Sequence, residues 1–270
     1  MGSLRRGLEI LELMAGADGP LTLGAIAERL ALPKSATHRL MAELAAAGFV
    51  RQERLGDAYA LTLKLASLGV QFLAALRIEE ICQPVLDALA QKSGELVRLA
   101  CAERDGLYWV ARAQGATNGL RYDPEHGNKV HLHVTAVGKA WLATLPEQDA
   151  LQIAQKQPGF GERGRFGPRA LTSEAQLRAA IALARRRGYG QAVDEGEPGT
   201  SAIACAIRPD PAAPAVGTVS IAGPTARLTA SRMQALLPPL FAAATELARR
   251  WPLRRYLAPA AVQPPTRRVA

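Results

Sequence analysis

No apolar run in this 270-residue sequence approaches the roughly 20 residues that a membrane-spanning helix needs. The opening residues, Met1-Gly2-Ser3-Leu4-Arg5-Arg6, lead into an amphipathic pattern that contains acids. They lack the uninterrupted apolar stretch and small-residue cleavage site of a secretory leader. A cytoplasmic protein with no membrane partner is therefore expected. Cysteine is scarce: Cys82, Cys101 and Cys205 are odd in number and far from zinc-motif spacing, and read as small buried hydrophobes in a reducing compartment. Cys205 lies in the apolar run Ile203–Ile207, with no sign of the exposure or lowered pKa that a redox thiol needs. A Gly-rich phosphate loop followed by Lys-Ser/Thr is missing. The only nucleophile–base candidates are Cys205 with His131 or His133, and nothing in the sequence arranges them. Enzyme activity, catalytic residues and cofactors are not expected. His131 and His133 would share one side of a strand, but a third ligand is not evident nearby, so no metal site is expected.

The N-terminal region also lacks net charge. The chain as a whole carries +9, but residues 1–60 hold Arg5, Arg6, Arg29, Lys34, Arg39, Arg51 and Arg54 against Glu9, Glu12, Asp18, Glu28, Glu43, Glu53 and Asp57. The excess lies in Arg163–Arg187 and in the tail from Arg249 to Arg268. Bulk basicity is thus weak support for nucleic-acid binding by this region, and local geometry has to carry that argument.

What is present is periodic. Leu4, Leu8, Leu11 and Ala15 form an apolar stripe at helical spacing, ended by Gly16–Pro20. A second helix follows the N-cap Thr22 and buries Ile26, Ala27 and Leu30. Leu32-Pro33 breaks it, and a third helix from about Lys34 to Ala47 buries Leu40, Met41 and Leu44 before Gly48. Phe49–Glu53 and Tyr59–Leu61 read as strands around a Gly56-Asp57 turn, a β-wing after a helix-turn-helix. An apolar helix, Leu63–Arg77, links to a second region of mixed character. There Ile81–Ser93, Val137–Leu145, Glu147–Gln157, Ser173–Gly188 and Ala230–Trp251 read as helices. Val97–Glu103 and Leu107–Ala113 pair across Asp105-Gly106, and Ser201–Ile207 and Val216–Ala222 pair across a Pro/Ala-rich turn. Local hairpins covered by helices favour an antiparallel sheet, so the expected class is α+β. The expected domains are a winged helix-turn-helix at 1–62, a linker helix at 63–79, a helix-flanked sheet domain at 80–252 and a disordered tail at 253–270.

In a helix-turn-helix the second helix enters the major groove by its first residues. Here that end offers Lys34, Ser35, Thr37, His38 and Arg39, donors for phosphates or base edges, and contains no acid. Its free N–H groups favour phosphate. Arg51 and Arg54 in the wing can reach an adjacent groove. A helix-turn-helix that serves only as a protein-interaction module is the alternative. In the second region, a helix beginning at Thr135-Ala136-Val137-Gly138 leaves N–H groups near Ala136 and Val137 that attract a carboxylate, and Gly138 permits close backbone approach. Plain helix–sheet packing is the alternative there.

The segments Ser3–Glu12, Leu21–Leu40 and Ala47–Arg51 closely resemble the IclR family of transcriptional regulators. The resemblance continues in order through Leu132–Ala140, Arg187–Tyr189, Asp194-Glu195 with Gly199, Ile203-Ala204 and Ser220–Pro224, covering about residues 3–251. Each motif is weak alone; their ordered combination is specific. The resemblance implies a winged helix-turn-helix, a linker helix and a GAF-like effector domain. It also implies a homodimer or dimer of dimers on a palindromic double-stranded operator, acting as repressor or activator. By position, the family's effector cavity maps onto Tyr122, Val130, Ala136, Val137, Ala192, Thr200, Ala202, Ser220 and Ala222. Members that bind very small oxo-acids have an acid, a cysteine and a second serine where this chain has Ala192, Ala202 and Ala222, and an aliphatic residue where it has Tyr122. With hydrogen-bonding groups lost and apolar volume gained, the expected effector is a larger, less polar carboxylate, aromatic acids included. Its acid group is expected near Val137, with Tyr122 or Arg121 orienting the other end. A rear domain that only oligomerises is the alternative function.

Overall fold

The computed structural model describes residues 2–53, 58–104, 106–124 and 129–251. It divides into two compact units, Met1–Ala75 and Leu76–Ala270. Arg54, the Gly56-Asp57 turn, Asp105 and the expected disordered tail lie outside the described residues.

The first unit contains α1 (Ser3–Ala15), β1 (Leu21–Thr22), α2 (Leu23–Arg29), α3 (Lys34–Ala46), β2 (Val50–Gln52), β3 (Ala58–Leu61) and α4 (Leu63–Ala75). Thr22 caps α2 by accepting the Ala25 amide at 3.2 Å, as its side-chain oxygen suits. The turn before α3 is closed by Ala31 at a φ of 50°, with the Leu32 amide donating to the Ala27 carbonyl at 2.8 Å. A three-stranded antiparallel sheet in the order β1-β3-β2 completes the wing; β1 is too short to register in the sequence pattern. Ile10, Leu11, Met14, Ile26, Leu40, Met41 and Val50 form the core.

The expected helix α1 is present, but its apolar stripe is only partly covered. Only Leu11 of the stripe Leu4-Leu8-Leu11-Ala15 is buried, while Leu4 is 77% and Leu8 51% exposed. The core reaches only the C-terminal half of α1, where Ile10 and Met14 flank Leu11, and spacing alone does not say which half of a helix meets its neighbours. No residue of α4 is buried within the chain.

The second unit contains α5 (Ile78–Ser93), β4 (Leu96–Glu103), β5 (Gly106–Gln114), α6 (Ala136–Leu142), α7 (Glu147–Gln155), α8 (Glu174–Arg187), β6 (Gly190–Val193), β7 (Thr200–Ile207), β8 (Gly217–Pro224) and α9 (Ala230–Arg250). The strands form one antiparallel sheet in the order β5-β4-β8-β7-β6, so the α+β expectation holds. Residues alternate across it. Ala100, Ala192 and Ala204 join a core with α6, α7 and α8, and α5 and α9 pack against β4, β5, β7 and β8. The small side chains on the α6 face bring that helix close. A Cβ on Gly190 would lie 2.1 Å from the Ala136 carbonyl oxygen, and one on Gly138 would lie 2.2 Å from that of Leu132. Only glycine permits these approaches.

Candidate DNA-reading helix and effector cavity

The N-terminal turn of α3 presents Lys34, Ser35, His38 and Arg39 to solvent, with no acid in the first turn. Thr37 departs from the sequence expectation. It is fully buried, and its hydroxyl donates to the Pro33 carbonyl at 3.1 Å. Helical period turns it inward beside Leu40 and Met41, so it supports the helix and offers nothing to a groove. Arg51 is exposed and donates to Glu53 at 2.8 Å, an ion pair that a phosphate would have to replace.

In the second unit a cavity of about 490 Å³ opens between the sheet and the start of α6, within the usual size range of small-molecule sites. Eight of the nine mapped positions line it: Tyr122, Ala136, Val137, Ala192, Thr200, Ala202, Ser220 and Ala222. Val130 does not. It is buried in the neighbouring core, held there because its carbonyl accepts from Gln157 Nε2 at 2.9 Å while Gln157 Oε1 accepts the Leu132 amide at 2.7 Å. Arg121 is exposed and absent from the wall.

The wall also contains residues that sequence reasoning missed: Arg98, Trp109, Lys129, Arg165, Phe166, Glu197 and Ser201, together with His131. Arg98 and Trp109 come from β4 and β5, where alternation marks a face and says nothing of a cavity. Arg165 and Phe166 come from the connection between α7 and α8, which carries no regular period. Arg98 is 6% exposed, and its guanidinium carbon sits 3.5 Å from the Trp109 ring centroid. Burial lowers its pKa to about 10, so it stays protonated at neutral pH. Lys129, His131 and Arg165 are exposed at the margin. Burial pushes the Tyr122 phenol up, and its hydrogen bond and proximity to the Glu197 carboxylate act in the same direction.

The wall is tied to the fold by two ion pairs. Buried Lys139 donates to Glu195 Oε1 at 2.6 Å and to the Gln191 carbonyl at 2.8 Å, fixing α6 to the segment that carries Gly196 and Glu197. Glu95 accepts from Arg227 Nε at 2.7 Å, and Arg227 Nη1 donates to the Leu120 carbonyl, also at 2.7 Å. That anchor precedes Tyr122, whose own carbonyl accepts from Gln114 Nε2 at 3.0 Å.

The two histidines are not strand neighbours. His131 packs edge-on against Phe166 at 4.9 Å. His133 is fully buried between Phe160 and Phe166, and neither ring nitrogen has a hydrogen-bond partner among the described residues. Burial, reinforced by His131, Lys139 and Arg165, lowers its pKa to about 4. Among the described residues no group of three or more His, Cys, Asp or Glu could hold a metal ion. Burial raises the Cys82 thiol to about 11 and that of Cys205 to about 12, which disfavours the reactive thiolate.

Family models match in both units: the IclR helix-turn-helix domain over residues 3–54 and the bacterial transcriptional regulator IclR C-terminal domain over residues 70–249. The chain belongs to the IclR family of DNA-binding transcriptional regulators. It is 30% identical over 232 residues to the transcriptional repressor IclR of Escherichia coli K12, covering 86% of this chain and 83% of that protein. A solved IclR-type regulator from Silicibacter sp. TM1040 superposes with a TM-score of 0.78 at 26% identity, covering 92% of this chain and 96% of the other. An IclR homologue from Microbacterium hydrocarbonoxydans, crystallised with 4-hydroxybenzoate, has the same fold, with a TM-score of 0.74 at 24% identity and coverage of 94% and 100%. No described helix is long and apolar enough to cross a membrane.

Proposed function

We propose that this IclR-family chain is a cytoplasmic regulator that reads a palindromic operator through Lys34, Ser35, His38 and Arg39, with Arg51 and Arg54 of the wing. A small carboxylic acid held in the cavity of the second unit controls it, and the larger aromatic acids are favoured. The observation that carries this reading is the composition of the cavity wall. Among the described residues of the wall, Arg98, Lys129 and Arg165 are the cations and Glu197 is the acid, while Trp109, Tyr122 and Phe166 supply flat apolar surface. Ala192, Ala202 and Ala222 leave room rather than polar contacts. The Microbacterium homologue was crystallised with an acid of this chemical class; the reading for this chain rests on its own side chains.

The chain acts as a homodimer or dimer of dimers. Leu63, Leu68, Val70 and Phe72 of α4 are exposed apolar residues, a surface that a second chain would cover. Control operates by linkage. The acid binds one arrangement of the assembly better, shifts its population, and so changes the spacing of the recognition helices. Half-sites about one DNA turn apart make affinity sensitive to that spacing. Calorimetric titration of the full chain with benzoate, 4-hydroxybenzoate and phenylacetate, beside glyoxylate and pyruvate, tests the effector reading. Micromolar binding of an aromatic acid is expected. Tight binding restricted to the two oxo-acids rejects the aromatic preference, and no thermal stabilisation by any acid favours a rear domain that only oligomerises.

A further inference from the structure

We propose that the Phe166 ring is a displaceable partition of the effector cavity, and that the place it fills beside His133 is a second subsite, which takes the hydroxylated far ring of a two-ring carboxylic acid. This rests on the reading above that the cavity takes an acid. His133 is fully buried, and neither ring nitrogen has a hydrogen-bond partner among the described residues. A neutral imidazole carries one donor and one acceptor, and leaving both unmet inside a protein costs stability. Phe160 and Phe166 meet the imidazole edge-on, at centroid distances of 5.4 and 5.1 Å. They satisfy its packing and none of its hydrogen bonding. Of the two, Phe166 lines the cavity. A flat ligand ring in its place would keep the packing, and a hydroxyl on that ring would add the missing bond.

The wall aromatics differ in how firmly they are set. Trp109 stands on β5, stacked with the Arg98 guanidinium, and the Tyr122 backbone is tied to Gln114. Phe166 comes from the connection between α7 and α8, which turns at Gly159, Gly161 and Gly164 with φ of 86°, 83° and 79°. These are left-handed conformations that glycine adopts freely. The ring edge rests on Gly159, where a Cβ would lie 2.7 Å away, and on the His131 and His133 rings. Turning the ring away breaks van der Waals and edge contacts, not hydrogen bonds. The chain is fastened just beyond it: the Gly167 amide donates to the Glu195 carbonyl at 3.0 Å and the Arg169 amide to that of Asp194 at 2.9 Å. The ring can therefore leave its place while the connection stays docked. Charge selects the occupant. The charged groups that bear on His133 are His131, Lys139 and Arg165, and Lys139 already holds Glu195. An ammonium on the far ring would be repelled, whereas a phenol both donates and accepts.

The test titrates the full-length chain, F166A and H133L calorimetrically with benzoate, 4-phenylbenzoate and 4-(4-hydroxyphenyl)benzoate. In F166A the affinity for both two-ring acids should rise by about tenfold, since no ring has to be displaced, while that for benzoate falls with the lost wall contact. Wild type and F166A should prefer the hydroxylated acid over its parent by about fivefold, as for one hydrogen bond, and H133L should lose that preference. One-ring and two-ring affinities that move together in F166A overturn the partition. A preference retained in H133L overturns the role of His133. A ligand-free measurement separates these failures from that of the acid reading. Modification of His133 by diethyl pyrocarbonate, located by mass spectrometry, should be about tenfold faster in F166A than in wild type, because the imidazole is uncovered. Equal rates overturn the partition whatever the acids do. A faster rate with no acid bound by any of the three chains rejects the acid reading and, with it, the occupant proposed for the subsite. Should H133L fail to fold, a crystal of the wild-type chain with the hydroxylated acid decides. A hydroxyl within hydrogen-bond distance of His133 supports the assignment, and a hydroxyl elsewhere overturns it.

Discussion

Arg39 and Thr37 sit two residues apart on α3, and the helical period sends one to solvent and the other into the core. Their substitutions should therefore separate. Arg39→Ala is expected to weaken operator binding by about 1–3 kcal/mol if the guanidinium reads a base edge, with an unchanged melting temperature. Thr37→Val should leave operator affinity intact and cost about 1 kcal/mol of stability through the lost hydroxyl contact to Pro33. Fluorescence anisotropy on operator DNA and thermal melts distinguish the two. His133 supplies a prediction in pH. Its folded-state pKa is lowered to about 4, against about 6.5 in the unfolded chain. Between those values the unfolded chain binds the proton and the folded chain does not, so stability falls as pH drops from about 6.5 towards 4. His133→Leu should flatten that part of a stability-against-pH curve; an unchanged slope would show that the imidazole is not buried in its neutral form.

Among the elements, α6 holds the cavity together. It is clasped to β6 by the contact at Gly190 and to the β6–β7 connection by Lys139 and Glu195. Gly190→Ala places a methyl group against the Ala136 carbonyl and must push α6 off the sheet. A loss of about 1–3 kcal/mol, the usual cost of overpacking, should accompany weakened effector binding. Burial lowers the pKa of Lys139 and raises that of Glu195, and their mutual attraction opposes both shifts. Lys139→Met leaves Glu195 as a buried unpaired acid and should cost about 3–5 kcal/mol, whereas the double variant with Glu195→Leu should recover much of that loss. Denaturant unfolding measures both. An equal cost in the single and double variants would mean that packing rather than charge pairing sets the penalty.

For the whole molecule, the proposed control couples effector and operator binding, and such linkage is reciprocal. Whatever factor the acid applies to operator affinity, saturating operator must apply to acid affinity. Two titrations on the same preparation check the equality, and unequal factors would exclude a simple two-state assembly. The first sixty residues are formally neutral, so operator affinity depends on where its cations lie. Lys34→Ala is expected to reduce the slope of log affinity against log salt by about 1 per bound α3, as for one phosphate contact. An unchanged slope would place Lys34 away from the phosphates.

Most of the helices, the β4–β5 and β7–β8 hairpins and the family were legible in the sequence because each leaves a local trace, whereas the short strands β1 and β6 and the pairing of β4 with β8 were not. Thr22 before α2, Pro33 before α3, and the periods of 3.6 and 2 along helices and strands depend on near neighbours alone. The family resemblance, carried over by position, likewise named eight residues that line the cavity, from Tyr122 to Ala222. Tertiary structure decided what depends on distant neighbours. It buried Thr37 and Val130, exposed Leu4 and Leu8, and brought Arg98, Trp109, Arg165 and Phe166 from separate segments to one cavity. A periodic pattern tells which residues share a face, but the packing of other segments settles which part of that face is covered and where an opening remains. The charge lining the cavity was for that reason not readable from the linear sequence.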